Sequence, residues 1–298
     1  MSARFTYNKE RLNTERVAMK IQKVLSNNAA IVREHEEEKV ALGPGIGFQK
    51  KRGEFIDETK VEKVFTMEEK EKQQFSKLMD ELPEALDEAV REIVRRAESA
   101  LGVKFADHLY IALLDHIHMA LERIQAGQVV NNQLLPEIQA LYPEEMDVAL
   151  WGAHKLEEKM GVAVPDAEAG FIALHLHTAR AGRRELSDVL QVARAVKGMV
   201  HAAERQAGAT FKAESPAYAG LMNHLQIALR AYLDDEKLEG SAGDMHDVMQ
   251  VKYPEAYRAA VAAWKELHDT WQIELPQDEI IYMAMHIQRL LQRTEETL

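Results

Sequence analysis

Hydrophobic and polar positions change their period once along this chain. Over residues 19–65, a segment that opens "MKIQKVLSNNAAIVREHEEEKVALGPGIGFQKKRGEFI", Ile21, Val24, Ala30, Val32 and Val40 sit in short alternating runs. The runs are broken at Ser26-Asn27-Asn28, at a charged tip over 34–39 and at Gly43-Pro44-Gly45, the residue types that end strands and build turns. This predicts about four short strands in a small antiparallel sheet. From about Thr66 the spacing turns helical: "TMEEKEKQQFSKLMDELPEALDEAVREIVRRAESAL" carries acidic residues early and basic ones late, as a helix macrodipole favours. The remainder of the chain reads α-helical, with loops near 127–132, 161–165, 182, 208–215, 240–243 and 273–276.

The helical part contains an internal repeat. "YPEEMDVALWGAHKLEEKMGVAVPDAEAGFIALHLHTA" (142–179) aligns without gaps to "YPEAYRAAVAAWKELHDTWQIELPQDEIIYMAMHIQRL" (253–290). Tyr142/Tyr253, Pro143/Pro254, Leu156/Leu267, Pro165/Pro276, Glu168/Glu279 and His175/His286 coincide. Upstream, "LLDHIHMALER" matches "LMNHLQIALRA" and pairs His116 with His224. A unit of roughly 110 residues is a domain rather than a solenoid repeat. The fold class expected is therefore multidomain: a small antiparallel β domain followed by two homologous all-α helical bundles. Its segments are a 1–18 extension, the β module at 19–70, and helical domains at 71–182 and 183–298.

Composition narrows the function. Hydrophobic residues make up 46% and charged residues 29% of the 298, which suits soluble globular domains rather than disorder. No window approaches the ~18 consecutive apolar residues of a spanning helix and no signal peptide opens the chain, so no membrane insertion and a cytoplasmic location are expected. The absence of cysteine excludes disulfides, thiolate metal sites and cysteine nucleophiles. The net charge of −12 hides an asymmetry: residues 1–65 hold 13 Lys and Arg against 10 Asp and Glu, leaving −15 for the remainder. A slightly basic head on an acidic body places any nucleic-acid contact at the N-terminal end.

Four duplicated histidines are the candidate chemistry. Residues at −3 and +4 share a helix face with the residue between them. His116 lies between Leu113 and Ala120, His175 between Ile172 and Ala179, His224 between Leu221 and Ala228, and His286 between Met283 and Leu290, so each falls on or beside a buried stripe. A lone histidine so placed is more often a core residue satisfied by one hydrogen bond. Four in matched positions point to a shared role, although duplication also copies structural residues. Metal binding by His116 with His118, or His175 with His177, is disfavoured because i and i+2 diverge on a helix. No Glu-x-x-His, H-E-x-x-H or nucleophile elbow occurs, so no catalytic residue, metal ligand or cofactor is assigned; a metal site assembled from distant residues stays open. Reversible phosphorylation fits better. A phosphoryl group carrying ~−1.5 to −2 charge would disrupt an apolar packing surface and be welcome beside arginines. Arg123, Arg180, Arg230 and Arg289 are the candidate counter-charges, and solvated surface arginines are the plainer alternative.

Taken together, "GPGIGFQKKRGEFIDETKVEKVF", "LYIALLDHIHMALER" and "PDAEAGFIALHLHTA" resemble the BglG/SacY/LicT family of bacterial transcriptional antiterminators over about residues 19–298, and most of all its glucose-operon branch. The resemblance implies a homodimeric four-stranded RNA-binding module followed by two five-helix regulation domains of the sugar phosphotransferase system. It implies a non-enzymatic activator that holds a leader-mRNA hairpin and prevents the terminator from forming. The phosphoryl donors implied are an EIIB-type domain of a sugar permease and HPr, and the implied acceptors are His116 and His175 in the first domain and His224 and His286 in the second. His108, eight residues before His116, resembles a further histidine of the glucose branch and shares a face with His116; His118 and His177 receive no role.

For RNA, the family motif K-V-x-N-N-N reads here Lys23-Val24-Leu25-Ser26-Asn27-Asn28, and G-[KR]-G-x-x-F reads Gly43-Pro44-Gly45-Ile46-Gly47-Phe48. Amides of Asn27 and Asn28 can bond base edges and riboses, Gly43 and Gly45 let backbone approach a groove, and Phe48 can stack on an unpaired base. Lys20, Lys23, Lys50, Lys51 and Arg52 supply phosphate contacts. Two ordinary hairpin turns explain the Asn and Gly positions equally simply. Ser26 departs from the first Asn of the motif, and Pro44 from its basic residue, which removes a cation and a backbone donor and predicts altered affinity or sequence preference. Residues 1–18 precede the family's usual start; either they add basic contacts or translation begins at Met19. Two rivals remain: a regulator of the same kind with a different nucleic-acid target, and a helical metal-binding protein.

Overall fold

The structure is a computed structural model that describes residues 19–35, 37–66, 69–105, 108–181, 186–213, 215–233 and 245–295; the reading of residues 1–18 lies outside them. Two compact units are present, one made of residues up to 88 together with 110–118, the other of 89–109 with 119 onward.

In the first unit four antiparallel strands follow chain order, β1 (Lys20–Ser26), β2 (Ala29–Glu34), β3 (Glu37–Leu42) and β4 (Lys63–Phe65). Ile21, Ala30, Val32, Ala41, Ile46 and Ile56 form the core, with Met19, Val24, Val61 and Val64 packed around it. The pairing of β1 with β2 slips between Ile21 and Lys23 and again between Val24 and Ser26. Bulges of this kind bend a strand and re-aim its side chains, so Lys23 stands exposed while Ile21 and Leu25 are buried.

The loop after β3 packs back onto the β1–β2 turn. Gly43 and Gly47 donate their N–H groups to the Asn28 and Asn27 carbonyls at 2.9 Å each. A Cβ on Gly47 would meet the Ser26 carbonyl oxygen at 2.2 Å, and one on Gly43 the Lys60 carbonyl oxygen at 1.9 Å. Both glycines are there because backbone meets backbone.

The helical stretch expected to begin near Thr66 is interrupted. It forms α1 (Glu69–Glu81) and α2 (Glu84–Leu101). Pro83 separates them: it has no N–H to donate, and it disfavours helical geometry at Leu82. Its carbonyl starts the next helix, accepting from Leu86 and Asp87. Buried Phe75 and Met79 form the inner face of α1, and the Phe75 ring meets that of Phe65 edge-on at 6.2 Å.

The second unit is helical, and the helices of the chain from α2 onward, part of α2 and α3 lying in the first unit, bear out the repeat. In order, α2, α3 (His108–Gln125), α4 (Leu135–Leu141), α5 (Pro143–Met160) and α6 (Asp166–Ala181) are followed by α7 (Leu186–Ala207), α8 (Pro216–Leu233), α9 (Met245–Lys252), α10 (Pro254–Trp271) and α11 (Glu279–Glu295). Each set has five helices with the short one third. The repeated Tyr-Pro-Glu is a helix start: Tyr142 and Tyr253 are the N-caps and Pro143 and Pro254 the first helical residues, where the missing N–H costs nothing. At the other end Gly161 and Gln272 occupy the same left-handed position, with φ of 66° and 55°. Glycine does this without strain. Gln272 offsets its strain by donating its amide to the His268 and Asp269 carbonyls at 3.3 and 3.1 Å. Within this unit α10 packs along α7 and α11, α8 against α11, and α5 against α6. Among the described residues no helix is long and apolar enough to cross a membrane.

Substituting Gly47→Ala should drive a methyl group into the Ser26 carbonyl. The expected cost is about 1–3 kcal/mol, the range for overpacking a rigid site, and thermal denaturation followed by circular dichroism measures it.

Candidate nucleic-acid interface and histidine sites

The β1–β2 turn and the glycine loop bring most of the predicted nucleic-acid residues together. The Asn28 side-chain oxygen accepts the Gly45 N–H at 2.8 Å, and its backbone N–H donates to Ser26 Oγ at 3.1 Å. Ser26 thus caps the turn, work that any short hydrogen-bonding side chain can do. Gly45 has φ of 68°, the left-handed geometry that glycine adopts freely. Phe48 projects from the end of this loop and is 54% exposed, and Lys20 and Lys23 stand exposed on β1. Lys50 is half-buried and donates to the Phe55 carbonyl at 3.1 Å. Phe55, 53% exposed and bridged to Lys20, is a second outward aromatic that motif matching does not reach. Its signal is weak: a lone aromatic three residues beyond the Lys-Lys-Arg run.

Asn28, by contrast, is only 6% exposed. Its amide nitrogen donates to the buried carboxylate of Asp87 at 2.9 Å, and the Tyr110 hydroxyl donates to the other oxygen of the same carboxylate. Asn27 donates to Glu84 at 2.6 Å, and Lys23 to Ser76 Oγ at 2.6 Å and to Asp80 at 3.2 Å. Three of the predicted nucleic-acid contacts are therefore held by the chain itself.

The four duplicated histidines are all half-buried. His116 and His224 are each the ninth residue of their helices, α3 and α8, while His175 and His286 each follow a proline by ten positions in α6 and α11. His108 is exposed as the first residue of α3, so it does not share the burial of His116.

The second-domain pair lies within one unit. The rings of His224 and His286 stack at 5.7 Å with an interplanar angle of 27°. Buried Glu279 brings a carboxylate oxygen to 2.8 Å from His224 Nε2, but neither atom attains hydrogen-bond alignment. Gly220 makes room on α8: a Cβ there would lie 3.1 Å from His286 Nδ1. Burial pushes the His286 pKa below its ordinary value, and His224 and Arg289 push it the same way. His286 therefore favours its neutral form, which keeps a ring nitrogen lone pair available.

Two of the expected counter-charges have partners. Arg123 pairs with buried Glu168 at 3.0 Å, and Arg180 with Glu144 at 2.7 Å and Glu145 at 3.1 Å. His177 has a structural place: it stacks on Tyr142 at 3.9 Å and reaches Glu145 at 3.1 Å. Burial raises the Glu145 pKa, but the His177 and Arg180 contacts outweigh it and hold the carboxyl below its usual range. Among the described residues no group of three or more His, Asp or Glu could hold a metal ion.

Comparison with known proteins decides the family. A CAT RNA binding domain model matches residues 19–74, and a PRD domain model matches twice, at 91–179 and 197–290. The chain is 31% identical over 277 residues to the transcription antiterminator LicT of Bacillus subtilis (strain 168), covering 92% of this chain and 100% of that one.

The chain belongs to the BglG family of transcription antiterminators.

It is also 32% identical to the PtsGHI operon antiterminator of Bacillus subtilis (strain 168), over 91% of this chain and 96% of that protein. The crystal structure of GlcT CAT-PRDI is 38% identical and spans 54% of this chain and 98% of its own, with a TM-score of 0.49. BglG-family proteins are RNA-binding regulators rather than enzymes.

The depressed His286 pKa has a definite sign. The unfolded chain takes up this proton near pH 6.5 and the folded chain only at lower pH, so stability falls as pH drops below about 6.5. Melting temperatures across pH 5–7.5 should show this slope, and the His286→Gln variant should show a shallower one.

Proposed function

We propose that this antiterminator binds a hairpin in a nascent leader RNA through a homodimer of its N-terminal module, and that phosphorylation of its regulation-domain histidines decides when it does so. The observation that carries this reading is one chain joining an RNA-binding module at 19–74 to two regulation domains with histidines at matched positions. Lys20, Lys23, Asn27, Asn28, Gly43, Gly45, Phe48 and Lys50 are the proposed RNA contacts. Phe48 supplies a stacking face, the lysines neutralise phosphates and the glycine loop lets backbone approach. Holding the hairpin keeps the overlapping terminator from pairing, which makes the protein an activator of the operon downstream.

His116, His175, His224, His286 and His108 are the proposed acceptors. In each transfer a neutral ring nitrogen attacks the phosphorus of a phosphohistidine or phosphocysteine on a donor of the sugar phosphotransferase system. The bond to the donor breaks, the donor leaves with its electron pair, and the acceptor's ring proton passes to solvent. A permease domain of EIIB type and HPr are the proposed donors, and a glucose-type permease fits the branch resembled. The chain turns over no substrate of its own and needs no cofactor, and its place is the cytoplasm, where nascent RNA and these donors meet.

In a titration of the full chain against its own leader hairpin, Phe48→Ala should weaken binding by roughly 5- to 100-fold, the scale of one lost base stack. Lys20→Ala should lower the slope of log affinity against log salt by about one phosphate contact. Unchanged affinity in both variants, or equal affinity for duplex DNA of the same sequence, would reject this reading.

A further inference from the structure

Three of the proposed RNA contacts are engaged, in this structure, by the chain's own carboxylates. Asp80 near the end of α1, and Glu84 and Asp87 on the first turn of α2, stand at spacings of four and three residues across the break at Pro83. Each meets a different proposed RNA contact: Asp80 with Lys23 at 3.2 Å, Glu84 with Asn27 at 2.6 Å, and Asp87 with Asn28 at 2.9 Å. Ser76, a turn before Asp80, takes a further bond from Lys23 at 2.6 Å. Every bond runs from a cation or amide donor to an oxygen, the pattern those donors would present to phosphates and base acceptors. Asn28 already commits one amide N–H to Asp87 and one oxygen lone pair to Gly45, and is buried as well.

We propose that the carboxylates of Asp80, Glu84 and Asp87 form an internal mask that imitates RNA and must be displaced before the module can bind its hairpin. The proposal rests on the RNA reading of Lys23, Asn27 and Asn28. The mask also has a latch. The Asp87 carboxylate is buried, and its second oxygen is held by the hydroxyl of Tyr110, which lies on α3 six residues before His116. Leaving an oxygen of a buried carboxylate without its donor carries a large desolvation cost. Any rearrangement of α3 that withdraws Tyr110 therefore loosens Asp87 from Asn28. Since α3 carries His108 and His116, a change of charge at either histidine acts on the element that holds the mask closed. The RNA affinity of the masked chain is reduced by the fraction of time the mask is open.

The test is a titration of the unphosphorylated full chain against its leader hairpin at fixed salt. The double variant Asp80→Asn/Glu84→Gln removes two masking charges at exposed or half-exposed positions and keeps the fold's buried groups. Tyr110→Phe removes the latch hydroxyl and keeps the ring. Glu58→Gln/Glu81→Gln removes the same number of charges from a half-buried and an exposed position outside the mask. The masking variant should bind about three- to tenfold tighter than wild type, the scale of two lost exposed charge contacts. Tyr110→Phe should bind about two- to fivefold tighter, and the control should stay within about twofold. Equal or weaker binding by the masking variant, or an equal gain in the control, overturns the mask. Loss of binding on Phe48→Ala tests the RNA reading separately. If Phe48→Ala weakens binding while the masking variant leaves it unchanged, the mask alone fails; if Phe48→Ala has no effect, the RNA reading fails first.

Discussion

A buried carboxylate needs donors, and Asp87 draws them from opposite ends of the first unit. Asn28 comes from the turn between β1 and β2, Tyr110 from α3, and Asp87 itself from the first turn of α2. Three segments far apart in sequence are tied together by one group that cannot be left alone. Removing one partner of a buried charge typically costs several kcal/mol, so the linkage is stiff as long as the group stays charged and covered. The same group fixes the amide orientation of Asn28, which in turn accepts from Gly45. The shape of the glycine loop and the placement of α3 are thereby mechanically related.

The histidine sites rest on a different constraint. A helix that buries a histidine beside its apolar stripe must either protonate it at a cost or keep it neutral. His286 is pushed toward neutrality by its burial, by His224 and by Arg289, and the close approach at Gly220 gives its ring a seat against α8. A neutral imidazole packed against a second one is quiet until it gains charge. Adding a phosphoryl group of ~−1.5 to −2 charge there would set it against His224's neighbour Glu279, a like-charge conflict that packing alone cannot absorb. The two helical domains share their order of helices but differ in detail: Gly161 in one copy is Gln272 in the other, at the same left-handed backbone position. Duplication preserved the geometry and let the chemistry that satisfies it vary.

Much of this architecture is legible in one sequence. Alternation over 19–65 and its breaks locate four strands, and the Tyr-Pro-Glu repeat locates two matched helical sets, because period and turn residues act locally. The matched histidines emerge from the same periodicity. The long helix expected after Thr66 is instead two helices divided at Pro83, since a proline inside an acidic, helix-favouring run is easily outweighed by its neighbours when only the pattern is read. Phe55 escapes because an isolated exposed aromatic has no pattern. The burial of Asn28 escapes because its partner lies 59 residues away, and no local rule connects an asparagine in a turn to an aspartate in a later helix.

The sequence by itself determined the elements, their order, the duplication and the residue types able to meet RNA or accept a phosphoryl group. These depend on backbone propensity and on apolar spacing, both of which act over a few residues. The tertiary structure alone decided which of those groups face solvent and which are already engaged. Lys23, Asn27 and Asn28 look identical to free nucleic-acid contacts until α1 and α2 are folded against them. Hydrogen-bond partners are assigned by closeness in space, and in a folded chain that closeness is set by burial.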